Sequence, residues 1–213
     1  MKIVKEGYVF IISTFVVSLI LFFSNAGIIT NILGFLFLLV SLFCLYFFRD
    51  PNIEITKGDG LILSPCNGTV LEVSENEMEK VVRVFLSVLD VHLQRSPIAG
   101  KVVSVDHKPG KFLKAMDPQA HIVNEQNIIT IENENGRYIV KQIAGILARR
   151  CVSWVKPGDI LEAGDKIGVI KFSSQVDIHM PKNVDIKVKF GDKTVSGVTI
   201  FATLSRLGEC QHG

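Results

Sequence analysis

Between Gly7 and Phe48 the chain carries no Asp, Glu, Lys, Arg or His, and beyond Pro51 it changes to short apolar runs broken by Gly and Pro. The uncharged stretch holds two apolar blocks, Tyr8–Phe23 and Ile32–Phe48, joined by the turn-like Ser24-Asn25-Ala26-Gly27. Each is close to the roughly 20 residues that a helix needs to cross a bilayer. One central charge would cancel the insertion gain of about six Leu, Ile, Phe or Val side chains, and neither block contains one. The pattern predicts a membrane-associated helical hairpin over residues 1–50, with a shallow interfacial pair as the alternative. Lys2 and Lys5 before it and Arg49 after it predict that both ends face the cytoplasm, on the inner side of a cell membrane. A second apolar block argues against a cleaved signal peptide.

Residues 51–213 read as a separate β-rich domain. Strands are predicted over 68–73, 80–87, 101–106, 128–132, 138–147, 167–172, 184–190 and 198–204. A further alternating run puts Val176, Ile178 and Met180 on one face of a strand. Only 112–125 looks irregular or helical. The predicted fold class is mostly β, with barrel or sandwich character. The reversals at 63–70 and 154–168 are similar to the barrel-sandwich hammerhead of lipoyl and biotinyl carrier domains.

Composition adds exclusions. A net charge of +2 gives no argument for a nucleic-acid partner. Cys44, Cys66, Cys151 and Cys210 are far apart and match no zinc or disulfide spacing, so reduced thiols and no metal are expected.

Candidate chemistry rests on two short segments. Lys171-Phe172-Ser173-Ser174-Gln175-Val176-Asp177 places two hydroxyls between an apolar approach and an alternating strand. Most Ser-Ser pairs are polar turns, because serine becomes a nucleophile only where the fold brings a base to it. Asp90-Val91-His92 is an Asp-x-His; on an extended segment its two functional side chains would face one site, the carboxylate orienting the imidazole. Alone, such a pair is usually structural. His121 is a weaker acid–base candidate in the irregular segment. His179 reads as structural or exposed, and His107 and His212 carry no signal. Lys108, Lys111, Arg149 and Arg150 could meet lipid phosphate or form an ordinary solvated basic face.

Taken in order, Glu6-Gly7-Tyr8, Phe48-Arg49-Asp50-Pro51, Ser64-Pro65-Cys66-Asn67-Gly68, Asp90-Val91-His92, Pro109-Gly110-Lys111-Phe112, Asn124-Glu125, the run from Gln142 to Arg150 and Phe172–Asp177 cover the whole chain. In this order they resemble the short-form phosphatidylserine decarboxylase proenzymes, a family that includes archaetidylserine decarboxylases. The resemblance implies that Ser174 attacks the carbonyl of Ser173, with His92 as base and Asp90 as its orienting partner. Elimination would then split the chain into a β chain, 1–173, and an α chain, 174–213, the latter starting with a pyruvoyl group made from Ser174. That ketone would take the amine of an aminophospholipid as a Schiff base and accept electrons as carbon dioxide leaves. The implied cofactor is this pyruvoyl group alone. The implied partners are the lipid, the membrane and the two chains held as a heterodimer, with a homo-oligomer left open. Ser173 departs from the family, which usually has glycine there, and a Cβ restricts a turn that glycine tolerates.

The rival reading is a non-enzymatic, membrane-anchored hammerhead or lipoyl-like adaptor. It would call for a long coiled-coil hairpin or a modifiable lysine at a hairpin tip, and the sequence offers neither.

Overall fold

The computed structural model describes residues 2–24, 26–113, 119–145, 151–171 and 174–205, the side chain of Ser174 excepted. Phe172, Ser173, Arg149, Arg150, Cys210 and His212 therefore lie outside the described residues. The chain divides into two compact units, Met1–Asn52 and Ile53–Gly213.

In the first unit β1 (Lys2–Ile3) leads through a 3-10 turn, Lys5–Gly7, into α1 (Tyr8–Phe23), then α2 (Ile28–Phe47) and β2 (Arg49–Asp50). The spans Lys5–Phe23 and Ile28–Phe47 are long and apolar enough to cross a membrane. Helix α2 begins at Ile28, four residues before the predicted block, because Gly27, at φ 114°, turns the chain into it. The few polar side chains of the hairpin bond between helices: Ser18 Oγ donates to Gly34 O at 2.7 Å, and Ser41 Oγ to Ile11 O at 3.0 Å. In apolar surroundings such groups must be satisfied within the protein. Strand β2 returns antiparallel to β1, pairing Lys2 with Asp50 and Ile3 with Arg49. A Cβ on Gly7 would come within 2.5 Å of Phe48 Cβ, so this close approach requires glycine there.

The regular structure described in the second unit is strand apart from one helical turn. In chain order it contains β3 (Leu61–Leu63), β4 (Gly68–Glu75), β5 (Glu79–Leu86), β6 (Leu93–Arg95), β7 (Gly100–Lys108), the single-turn α3 (Ala120–Val123), β8 (Gln126–Asn133) and β9 (Gly136–Ile143). After these come β10 (Cys151–Ser153), β11 (Ile160–Leu161), β12 (Lys166–Ile170), β13 (Ser174–Pro181), β14 (Val184–Ile186), β15 (Lys193–Thr194) and β16 (Ile200–Leu204). Eight of them form a curled, half-barrel sheet in the order β11-β7-β8-β9-β13-β5-β4-β15, and two three-stranded sheets, β10-β12-β6 and β14-β16-β3, complete the unit.

Alternation decides the core. Val176, Ile178 and Met180 of β13 are buried with Val82 and Val84 of β5, Ile129 and Ile131 of β8, Tyr138 and Val140 of β9, and Phe201 of β16. Each such side chain contributes about 1.5–3 kcal/mol on leaving water. The predicted 184–190 strand stops at Ile186. Lys189–Asp192 instead closes a turn in which Asp192 N donates to Lys189 O, and Lys189 N to Asp192 Oδ2. The predicted 138–147 strand ends at Ile143.

Candidate active site

One row of paired residues crosses the large sheet: Lys108, Gln126, Ile143, Gln175, Phe85, Thr69 and Lys193, on seven successive strands. Ser174 lies immediately beyond it, its backbone in register with Leu86. The segment carrying Asp90 and His92 leaves β5 just after Leu86, and Asn124 and Glu125 lead into β8 beside Gln126. Three candidate segments, more than eighty residues apart in sequence at their extremes, thus reach the same end of one sheet.

Asp90 sits in a turn and not on an extended segment, which corrects the strand geometry expected for Asp90-x-His92. Asp90 N donates to Ser87 O at 2.9 Å, and Asp90 Oδ2 accepts from Ser87 N at 2.8 Å. The contact with His92 runs through the main chain: His92 Nδ1 donates to Asp90 O at 2.9 Å. A carbonyl only accepts, so Nδ1 carries the hydrogen and the lone pair of the neutral ring is at Nε2. His92 is 1% exposed, and its own carbonyl is held by Gln94 Nε2 at 2.6 Å and by Ile170 N at 3.2 Å.

Sequence reasoning missed what stands behind it. Gln142 Nε2 donates to Gln94 Oε1 at 2.8 Å, Asn127 Nδ2 donates to Gln142 Oε1 at 3.2 Å, and His107 Nδ1 donates to Asn127 Oδ1 at 2.9 Å. This amide chain joins β9 of the large sheet to β6 of a smaller one. It passes beside Gly168, where a Cβ would stand 2.6 Å from Gln142 Nε2. Its only sequence signal is a polar residue inside an apolar strand, as in Asn127-Ile128-Ile129 and Val140-Lys141-Gln142-Ile143.

Downstream of Ser174, the other face of β13 is polar yet buried. Gln175 Nε2 donates to Asp177 Oδ1 at 2.6 Å and Arg83 Nε to Asp177 Oδ2 at 3.3 Å, while His179 Nδ1 donates to Glu79 Oε1 at 2.8 Å. Burial pushes the Asp177 carboxyl up, opposed by Gln175 and Arg83. Burial likewise pushes the His179 imidazole down, against its bond to Glu79. Cys66, of the Ser64–Gly68 motif, is completely buried; burial raises its thiol well above the ordinary range, with Asp90 and Asp177 adding to the effect. Cys151 is pushed up to about 12, chiefly by burial. Such thiols stay protonated and unreactive.

Asn124 is the other fixed point. Fully buried, it accepts from Leu113 N at 2.8 Å and donates through Nδ2 to Leu113 O at 3.0 Å and Ala144 O at 2.8 Å, clamping the 111–113 segment to the end of β9. His121 is half-buried in α3, and its carbonyl accepts from Gln126 Nε2 at 2.7 Å.

A buried histidine, His92, thus belongs to the segment that leaves the sheet at the end where the serine-led strand β13 begins. Residues 40–202 match the phosphatidylserine decarboxylase family. The phosphatidylserine decarboxylase proenzyme of Geotalea uraniireducens (strain Rf4) is 39% identical over 211 residues, covering 95% of this chain and 96% of that protein. That of Wolbachia sp. subsp. Brugia malayi (strain TRS) is 40% identical over 214 residues, covering 95% and 91%. The chain belongs to the phosphatidylserine decarboxylase family, whose members are carboxy-lyases, and not to the carrier or adaptor class.

Proposed function

We propose that this chain is a proenzyme that cuts itself between Ser173 and Ser174 and then converts phosphatidylserine, or its archaetidyl counterpart, to the ethanolamine lipid and carbon dioxide. The observation that carries this is the start of β13 at Ser174, in register with Leu86, after which the Asp90–His92 segment leaves β5, with β13 hydrogen-bonded into the sheet from both sides further along. In the cleavage, the Ser174 oxygen adds to the carbonyl of residue 173 and the 173–174 C–N bond breaks, the nitrogen taking up the proton, to give an ester. Loss of the Ser174 α-proton then breaks the Cβ–O bond, releasing residue 173 as a carboxylate, and water replaces the nitrogen of the remaining dehydroalanine to give the pyruvoyl group and ammonia. His92 Nε2 is the lone pair suited to take the hydroxyl proton, since Nδ1 is committed to Asp90 O. Attack within one chain draws on effective molarities of about 10⁵ M or more, which is how a folded turn can activate an ordinary serine.

After cleavage the new chain end stays in place. Strand β13 is paired with β5 along all eight residues and with β9 along five, so the α chain, 174–213, remains bound to the β chain as a heterodimer. The pyruvoyl group implied at residue 174 supplies an electron sink for departure of the carboxyl group. The site fits it: the group derives from a residue already at the strand start, at the sheet end from which the segment carrying the buried His92 departs. His92 can then return a proton to the carbon that has lost carbon dioxide.

Residues 1–50 hold the enzyme in a membrane with its ends on the cytoplasmic side, and 51–213 carry the chemistry. The test is intact mass and gel analysis of the purified chain together with carbon dioxide release from phosphatidylserine. The reading requires two pieces meeting at 173/174, the smaller one blocked to Edman sequencing. A Ser174→Ala chain that still splits at this bond overturns it.

A further inference from the structure

The row of the large sheet that contains Ser174 ends on an unpaired carboxylate. Gln175 pairs with Ile143 and Ile143 with Gln126, so the next antiparallel row across β13, β9 and the entry to β8 is Ser174, Ala144, Glu125. Ala144 N donates to Glu125 O at 2.9 Å, which holds the last pair of that row. On the other side of β13, Leu86 of β5 stands in register with Ser174, and the segment carrying His92 follows it. Glu125 and His92 therefore come to the cleavage residue from the two opposite neighbours of its strand.

The smaller sheet β10-β12-β6 packs on the same place. Cys151 pairs with Ile170, and Ile170 N donates to His92 O at 3.2 Å. Cys151, Ile170, Ala144 and Leu86 share one buried cluster. Two residues further in from Ala144 and His92, Gln142 and Gln94 are hydrogen-bonded at 2.8 Å. Glu125 belongs to this enclosed side, since its charge is among the influences that raise the buried Cys151 thiol.

Two other carboxylates of the site are already engaged. Asp90 Oδ2 accepts from Ser87 N, and Asp177 is held by Gln175 and Arg83. Glu125 is half-buried, and among the described residues its carboxylate accepts no hydrogen bond and has no cation within ion-pair distance. Drawing an ion out of water without a partner costs free energy, which a cationic ligand offsets. A serine headgroup brings one cation, its primary ammonium. Two strand spacings put Ser174 and Glu125 about 10 Å apart along the row. A hydrogen bond of about 3 Å and a near-attack distance of about 3–3.5 Å leave roughly 4 Å, which a glutamate side chain spans.

We propose that Glu125 receives the ammonium of the aminophospholipid and takes one of its protons. One N–H bond breaks, one O–H bond forms on the carboxylate, and the nitrogen lone pair is freed for the carbonyl carbon at residue 174. The same charge repels phosphate and carboxylate, so the headgroup enters amine first. This rests on the phospholipid-decarboxylase reading, and the test separates the two.

The full chain carrying Ser174→Ala is titrated in detergent, by calorimetry, with glycerophosphoserine and with its N-acetyl derivative, whose nitrogen is uncharged. Adding Glu125→Gln weakens the first at least about ten-fold and leaves the second within about two-fold, as loss of a charge-assisted hydrogen bond requires. Equal weakening of both, no weakening, or no binding of glycerophosphoserine before Glu125 is changed overturns the inference. In a second arm the processed chain is treated with hydroxylamine, an amine uncharged at neutral pH, or with glycerophosphoserine and cyanoborohydride, and adducts on the small chain are followed by intact mass. Glu125→Gln takes up hydroxylamine at the parent rate and glycerophosphoserine at least about ten-fold more slowly, because only the second amine must first lose a proton. Equal rates for parent and variant with both amines, or equal slowing with both, also overturn it. A parent chain that forms no hydroxylamine adduct breaks the decarboxylase reading, and the titration still decides the role of Glu125.

Discussion

Gln142 reaches His92 without touching it: its Nε2 donates to Gln94 Oε1 at 2.8 Å, and Gln94 Nε2 donates to His92 O at 2.6 Å. Both glutamines are fully buried, so neither amide can be satisfied by water. The pair makes the placement of the imidazole depend on a strand of another sheet.

Replacing Gln142 by Met keeps the volume and removes the link. It strands Gln94 Oε1 and Asn127 Nδ2, at about 1–3 kcal/mol for each buried group left unsatisfied. Self-cleavage should slow by about ten-fold, equivalent to roughly 1.4 kcal/mol of lost alignment. A time course of chain splitting on gels measures this, and an unchanged rate removes Gln142 from the positioning role.

At the proposed cleavage bond Ser173 stands where the family resemblance leads one to expect glycine. Glycine reaches backbone conformations that a Cβ penalises by about 1–2 kcal/mol, so Ser173→Gly should speed splitting at least two-fold. The same time course reads it, and slower cleavage would show that the serine side chain assists.

Asn124→Ala removes three hydrogen bonds that tie Leu113 and Ala144 together, leaving buried backbone groups bare. A loss of at least about 2 kcal/mol in stability is expected from those groups. Urea unfolding in detergent measures it, and Asn124→Asp should recover only the bond from Leu113 N.

His179 predicts an acid limb. Burial is the largest influence and lowers its pKa from 6.5; the bond to Glu79 opposes this, Lys141 adds to it and Asp177 opposes it. The folded form therefore binds the proton less well than the unfolded chain does. The stability it contributes is complete above 6.5 and falls as pH drops below that value. Asp177, raised by burial, works with the opposite sign in a more acidic window, its contribution present below 3.8 and lost as pH rises through the folded pKa. Melting temperature should fall between pH 7.5 and 5.5, and His179→Gln should flatten that slope. Parallel slopes for both proteins would exclude His179 as its source.

The apolar hairpin was legible because lipid tolerates no charge over a span, so 42 consecutive residues without one leave little choice. The β-rich class was legible for a similar local reason: Val176, Ile178 and Met180 alternate with polar neighbours whatever lies opposite them. Ser174, Asp90 and His92 were nominated by motif, and their shared sheet end depends on pairing between residues such as Ser174 and Leu86 that no local pattern encodes. Tertiary structure alone decided that Asp90 meets His92 by its carbonyl while its carboxylate caps the Ser87 turn. It also decided that Gln94 and Gln142, forty-eight residues apart, form one hydrogen-bonded chain. Side-chain hydrogen bonds need atoms about 3 Å apart, and that distance is set by strand register and by how two sheets face each other.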